Sequence, residues 1–274
     1  MIKLVATDLD GTLLGSNGVV SERTRSALEA AEAAGLVVVF VTGRPVRWLE
    51  DVVEQTGHLG VAVGANGAVV YDLHTEQVVS AHLIDIDTAR ALAADIRAEF
   101  PEVCYATESL AGFAAEPDYV HDWDINPRVD RRGRPIPPPL VGDLELITAQ
   151  PVLKLLALDR SSKVDEFRDR VDNLLAGRGT VTHSSRFGLL EIAAPGVTKA
   201  SGLAEVAATH GITADEIVAI GDMPNDIPML LWAGTSYAVG NAHPDAQSAA
   251  GSVTVTNDED AVAQVIERLL HERG

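Results

Sequence analysis

Asp8-Leu9-Asp10-Gly11-Thr12-Leu13-Leu14 follows directly on the apolar run Leu4-Val5-Ala6-Thr7, so two carboxylates stand two residues apart at the end of a strand candidate. Parallel sheets bind ligands at the carboxyl ends of their strands, which makes this the first position to inspect. Carboxylates so close raise one another's pKa, whereas a bound Mg²⁺, which takes oxygen ligands, keeps both ionised. The plainer alternative is that Asp8 and Asp10 cap a turn, a common use of Asp. Gly11 lets the backbone turn sharply in either case.

Outward from this stretch, strand and helix signals alternate. Ser21 opens a helical pattern through Leu28 and Ala31 that stops at Gly35. Val37 to Thr42 is a β-branched run with one Phe, as expected of a strand covered on both faces, and Arg44 to Thr56 carries helical spacing at Leu49, Val52 and Val53. Val61 to Val63 and Ala68 to Tyr71 flank Asn66-Gly67, a pair that favours positive φ and marks a tight hairpin-like turn. The alternation stops near Ser80 and returns after Lys199, with a helix to His210, strands at Ile217–Ile220 and Tyr237–Val239, and an amphipathic helix through Val262, Val265 and Leu269.

Between Leu83 and about Pro195 the pattern changes. Helices are expected over Thr88–Phe100 and Val164–Leu175, and strands near Val103, Gly112, Val152, Val181 and Leu189; Arg131 to Pro139, ending in three prolines, reads as a loop. The fold class is therefore α/β: a Rossmann-like parallel-sheet core over 1–82 and 195–274, interrupted by an inserted α+β domain over 83–194. The 274 residues exceed the roughly 100–200 usual for one domain.

Composition narrows the partners. A net charge of −19 with scattered Lys and Arg disfavours nucleic acid and anionic lipid, and suits a small ligand brought in with a cation. The longest apolar stretches, such as Leu36 to Val41, fall far short of the roughly 20 residues of a membrane span. Met1-Ile2-Lys3 runs into a strand without a basic leader, so a cytoplasmic location is expected. Cys104, the single cysteine, allows neither an internal disulfide nor a thiolate metal cluster. No Gly-x-Gly-x-x-Gly follows the first strand, which sets dinucleotide binding aside.

Three more strand ends or helix starts carry polar groups. Val41-Thr42-Gly43-Arg44 offers a hydroxyl and free backbone amides suited to phosphate oxygens, although a Thr N-cap before a turn glycine gives the same letters. Lys199 opens a helix whose dipole disfavours a cation there; an anionic neighbour would explain it, and a solvated surface Lys is the alternative. Gly221-Asp222-Met223-Pro224-Asn225-Asp226 follows Ile217–Ile220 and adds two carboxylates and an amide. Together these groups suit phosphoryl transfer: Asp8 as nucleophile, Asp10 as acid and then base, and a cation, a Lys and backbone donors around the charged oxygens.

Taken in order, DLDGTLL, VTGR, the late Lys in GVTKASGL and GDMPNDIPML resemble the haloacid dehalogenase (HAD) superfamily of phosphohydrolases. Gly64-Ala65-Asn66-Gly67-Ala68 and Val239-Gly240-Asn241-Ala242 resemble the Cof-type branch, whose large α+β (C2B-type) cap lies between the second and third motifs. The resemblance spans almost the whole chain. It implies Asp8 as nucleophile and metal ligand, Asp10 as acid and base that ligates through its backbone carbonyl, Asp222 as metal ligand, and Thr42, Gly43 and Lys199 as the phosphate site. Gly11, Arg44, Asn225 and Asp226 would support these, the last two by holding Lys199 or metal-bound water or by ligating directly. His183, Arg186 and Glu191 in the cap are candidates for substrate specificity, with structural roles equally open for each. The implied protein is a Mg²⁺-dependent phosphatase of small phosphomonoesters, sugar phosphates or related metabolites, working through an aspartyl-phosphate on Asp8 as a monomer or homodimer. A phosphomutase on the same scaffold and a non-catalytic phospholigand sensor are the alternatives.

Overall fold

The β-branched runs form a single eight-stranded sheet in the computed structural model, which describes residues 1–119, 138–184 and 188–273 together with the backbone of 128–129 and 135–136. Its strands lie in the order Ser252–Val253, Thr235–Ala238, Ile217–Gly221, Leu4–Thr7, Val37–Val41, Val61–Gly64, Val69–Asp72, Gln77–Ala81. From the first of these through Val61–Gly64 all pairings are parallel, and Val61–Gly64 then pairs antiparallel with Val69–Asp72. Leu4–Thr7 is central: Ala6 stands opposite both Ala219 and Val39. Leu4, Val5, Ala6, Val39, Phe40 and Val41 are fully buried, as expected of strands covered on both faces.

Helices cover the sheet where the sequence caps them. The Ser21 side chain accepts the Thr24 N–H and opens the helix Glu22–Ala33, which buries Ala27, Leu28 and Ala31. The helix Ala261–Arg273 buries Val262, Val265, Ile266 and Leu269. Thr198 caps the helix Lys199–Thr209, so Lys199 is its first residue.

One expected helix is shorter than its spacing suggests. Between Arg44 and Thr56, Pro45 is extended (φ −66°, ψ 151°), a single 3₁₀ turn covers Val46–Trp48, and the α-helix runs only over Glu50–Thr56. Proline disfavours helical backbone in the residue before it, so Arg44 stays in the loop at the strand end. The Asn66-Gly67 turn joins its two strands as the sequence suggests, with φ of 58° and 102°. The edge strand Gln77–Ala81 and the six-residue helices Ile227–Trp232 and Pro244–Ala249 carried no usable periodicity.

The contacts of the chain divide it into two compact units, Met1–Ser80 with Thr198–Gly274, and Ala81–Val197. The second has its own six-stranded sheet, ordered Leu140–Val141, Gly112–Ala115, Cys104–Ser109, Lys154–Leu158, Leu189–Ala193, Thr180–Thr182. Helices Ile86–Glu99 and Val164–Leu175 contribute Leu92, Ile96, Phe167 and Val171 to a core with Tyr105, Leu155, Leu190 and Ile192. Val152 makes an isolated bridge to Ile84, and the strand itself starts two residues later at Lys154. Of the proline-rich stretch 131–139, residues 131–134 and 137 lie outside the described residues, and Pro135–Ile136 pairs with Arg128–Val129. Cys104 is buried and free. Among the described residues no helix is long and apolar enough to cross a membrane.

Candidate active site

Asp8, Thr42 and Asp222 follow three strands that adjoin in the sheet, so parallel register brings their side chains to one edge. The Asp8 N–H donates to the Ile220 carbonyl at 2.9 Å, tying the first strand end to the strand that leads into Asp222. From the first position of its helix, Lys199 Nζ donates to Asp8 Oδ1 at 2.6 Å and to Asp226 Oδ1 at 2.5 Å. Lys199, Asp8 and Asp226 are all buried, so the cation on this first turn has anionic neighbours.

The carboxylates have distinct tasks. Asp226 Oδ2 accepts the backbone N–H groups of Asp222 and Met223 at 3.0 and 2.9 Å, while Oδ1 takes Lys199, so both its oxygens are engaged. Asp222 Oδ1 accepts a long bond from Thr12 Oγ1, at 3.3 Å. Gly11, at φ +76°, runs so close that a Cβ there would lie 2.5 Å from Asp222 Oδ2.

Oxygens of Asp8, Asp222 and Asp226 lie within 4.8 Å of one another. Asn225 Oδ1 is buried without a hydrogen-bond partner among the described residues, and its Nδ2 donates to Asn66 Oδ1 at 3.0 Å. Three buried carboxylates against one Lys, with an orphaned amide oxygen in the same loop, fit a hard divalent cation with oxygen ligands. Asp8 and Asp222 would be the carboxylates to ligate such an ion, with Asp226 committed to Lys199 and the loop.

Electrostatics express the same excess of negative charge. Burial pushes the Asp8 pKa well above the carboxylate range; Lys199 opposes this, and Asp226 and Asp222 add to it. Burial, with the Asp226 charge, pushes Asp222 up to about 7. Burial works against the Lys199 charge, but Asp226 and Asp8 outweigh it and its pKa rises.

Asp10 faces solvent more than its neighbours and is gripped by the Arg44 guanidinium, with Nε at 2.7 Å and Nη2 at 2.5 Å. This fork is the consequence of Arg44 remaining in the loop before Pro45. Thr42 Oγ1 accepts the Arg44 N–H at 3.0 Å, so the hydroxyl shapes its own turn as an ST cap does. Gly43 lies against the Asn66 and Asn225 amides, where a Cβ would be 3.0 Å from Asn66 Oδ1.

His183 and Glu191 belong to the second unit and are tied within it. His183 Nε2 lies 3.1 Å from Asp165 Oδ1, and buried Glu191 pairs with Lys154 Nζ at 2.5 Å and accepts from Ser184 Oγ. Arg186 lies outside the described residues. Sequence reasoning missed three contributors: Thr12, Asn66 and Asn241, whose Nδ2 donates to the Gly11 carbonyl at 2.8 Å and steadies the turn after Asp10. All three sit inside strings quoted above, but their partners are far away in sequence.

The sequence model of the haloacid dehalogenase-like hydrolases matches residues 5–266. The chain belongs to this family. It is 29% identical to phosphatase YwpJ of Bacillus subtilis over 293 residues, covering 98% of this chain and 100% of that one. It is likewise 29% identical to the 5-amino-6-(5-phospho-D-ribitylamino)uracil phosphatase YcsE of the same organism, over 97% of this chain and 94% of that one. A solved haloacid dehalogenase-like hydrolase from B. subtilis superimposes with a TM-score of 0.79 at 26% identity, covering 98% of this chain and 100% of that chain. This haloacid dehalogenase-like hydrolase is thus an enzyme of the phosphatase class on a Rossmann-like α/β core.

Proposed function

We propose that this hydrolase removes phosphate from small organic phosphomonoesters, sugar phosphates or related metabolites, with Mg²⁺ and through an aspartyl-phosphate on Asp8. The observation that carries the reading is the buried Asp8–Lys199–Asp226 bridge beside Asp222, at the carboxyl ends of adjacent parallel strands. A buried ion pair is a poor stabiliser in itself, so its presence here points to chemistry.

Asp8 attacks phosphorus. The Lys199 ammonium holds one Asp8 oxygen in place and stabilises the oxygens of the phosphoryl group, with the Thr42 hydroxyl and the Gly43 amide as further donors. Asp10 gives a proton to the leaving alkoxide and then takes one from the water that attacks the phosphorylated Asp8, which readies it for the next turnover. Asp8, Asp222 and the Asp10 carbonyl are the groups to hold Mg²⁺, which supplies positive charge against the ester's negative oxygens. YcsE, named for a phosphorylated ribityl compound, supports a small polyol or sugar phosphate as the substrate type. The inserted domain, 83–194, carries the leaving-group preference in this reading.

Phosphate release from a panel of phosphomonoesters tests it. Release with Mg²⁺, abolished by EDTA and restored by added Mg²⁺, is the expected result; release that persists in EDTA, or none from any ester by folded protein, would overturn it. Return of the phosphoryl group to a second position on the sugar would identify a mutase.

Protonation makes a separate prediction. Asp8 and Asp222 bind a proton more tightly in the folded protein than in the unfolded chain, so their contribution to stability is full below the ordinary carboxylate range and is lost as pH rises through the folded value, about 7 for Asp222. Mg²⁺ binds the ionised pair and reverses that loss. By scanning calorimetry, saturating Mg²⁺ should raise the thermal midpoint more at about pH 8 than at about pH 5.5. An equal increment at both would mean these carboxylates do not bind the ion.

A further inference from the structure

The turn between strands Val61–Gly64 and Val69–Asp72 touches the Thr42–Arg44 loop, the start of the Lys199 helix and Asn225 without contributing a catalytic group. Its backbone holds the phosphate loop: the Asn66 N–H donates to the Thr42 carbonyl at 3.0 Å and the Ala65 N–H to the Arg44 carbonyl at 2.9 Å. Gly67, at φ +102°, meets the start of the Lys199 helix so closely that a Cβ would lie 1.9 Å from the Thr198 carbonyl oxygen. Asn66, buried at φ 58°, receives the Asn225 amide through its side-chain oxygen.

Asn is among the few residues that enter the left-handed region without a large penalty, so the turn alone explains an Asn or a Gly here. It does not explain why the amide is buried against Asn225, 159 residues away in the chain. An amide group has one accepting end and one donating end. With Nδ2 of Asn225 taken by Asn66, its Oδ1 is fixed as the buried acceptor that has no partner among the described residues.

We infer that Asn66 is a positioning residue of this active site, acting through Asn225: it sets the direction of the Asn225 amide so that Oδ1 is the end presented to a water of the Mg²⁺ shell. The inference rests on the proposed Mg²⁺ site. Groups that orient the surroundings of a metal typically change its affinity or the activity about 10- to 100-fold when removed.

Asn66→Gly isolates the effect, because glycine keeps the positive φ and removes only the amide. The expected result is a thermal midpoint close to the wild type, Mg²⁺ affinity by titration calorimetry lowered about 10-fold or more, and kcat lowered similarly with KM changed less than about threefold. In an Asn225→Ala background the same substitution should add less than about twofold, since the group it orients is already gone. Mg²⁺ affinity and kcat within about twofold of wild type for Asn66→Gly, or an undiminished loss in the Asn225→Ala background, would overturn the inference. The titration needs no turnover, so wild-type protein that binds Mg²⁺ yet cleaves no ester would sink the phosphatase reading and still decide the role of Asn66; wild-type protein that binds no Mg²⁺ would sink both.

Discussion

Asp8→Asn should lower phosphate release by about 10⁴-fold or more while the protein stays folded. The amide has nearly the shape of the carboxylate and can still accept the Lys199 bond, but it has no anionic oxygen to attack phosphorus. Lys199 also keeps Asp226, whose second oxygen continues to hold the Asp222 loop. Burial and two neighbouring carboxylates already push the Asp8 pKa up, so neutralising it relieves crowding in the metal-free site. The thermal midpoint should therefore stay within a few degrees of wild type, which calorimetry alongside the rate assay checks. A variant that cleaves esters at the wild-type rate would remove Asp8 from the reaction.

Lys199→Met should damage both stability and rate. Methionine fills much of the same volume without charge, leaving Asp8 and Asp226 buried without the ammonium that bridges them. Removing one partner of a buried ion pair costs about 3–5 kcal/mol, which for a chain of this size corresponds to a fall of roughly 6–20 °C in thermal midpoint. Loss of a preorganised donor to the phosphoryl oxygens should lower kcat by a further factor of about 10²–10³. Mg²⁺ should recover part of the stability, because it neutralises the same carboxylates, but not the rate. An unchanged midpoint in metal-free protein would mean that the bridge from Lys199 to the two aspartates is not ionic.

The contrast between these residues and Asn66 reflects what a linear sequence makes legible. Alternating apolar runs revealed the parallel core because each strand there is buried on both faces, and Asp8, Thr42 and Asp222 stood out because each directly follows such a run. Lys199 was legible through its conflict with the helix dipole, which called for an anion nearby. What the spacing could not reveal were side-chain pairings across the fold: Arg44 with Asp10, Asn66 with Asn225, Asn241 with the Gly11 carbonyl. Arg44 is instructive, since the helical periodicity from Leu49 onward was extended back over Pro45 and hid the loop that frees its side chain. Helices of six residues were missed because they complete fewer than two turns and show no repeat. In the inserted unit, His183, Arg186 and Glu191 came forward through the family resemblance alone, and the pairings of His183 with Asp165 and of Glu191 with Lys154 are again contacts that a linear sequence does not show.

The most direct test of the aspartyl-phosphate route is the stereochemical course at phosphorus. A phosphorothioate ester made chiral with oxygen isotopes, hydrolysed in isotopically labelled water, gives inorganic thiophosphate whose configuration can be read. Transfer to Asp8 followed by attack of water is two in-line displacements, and predicts net retention. Net inversion would mean a single displacement by water and would contradict a phosphorylated Asp8.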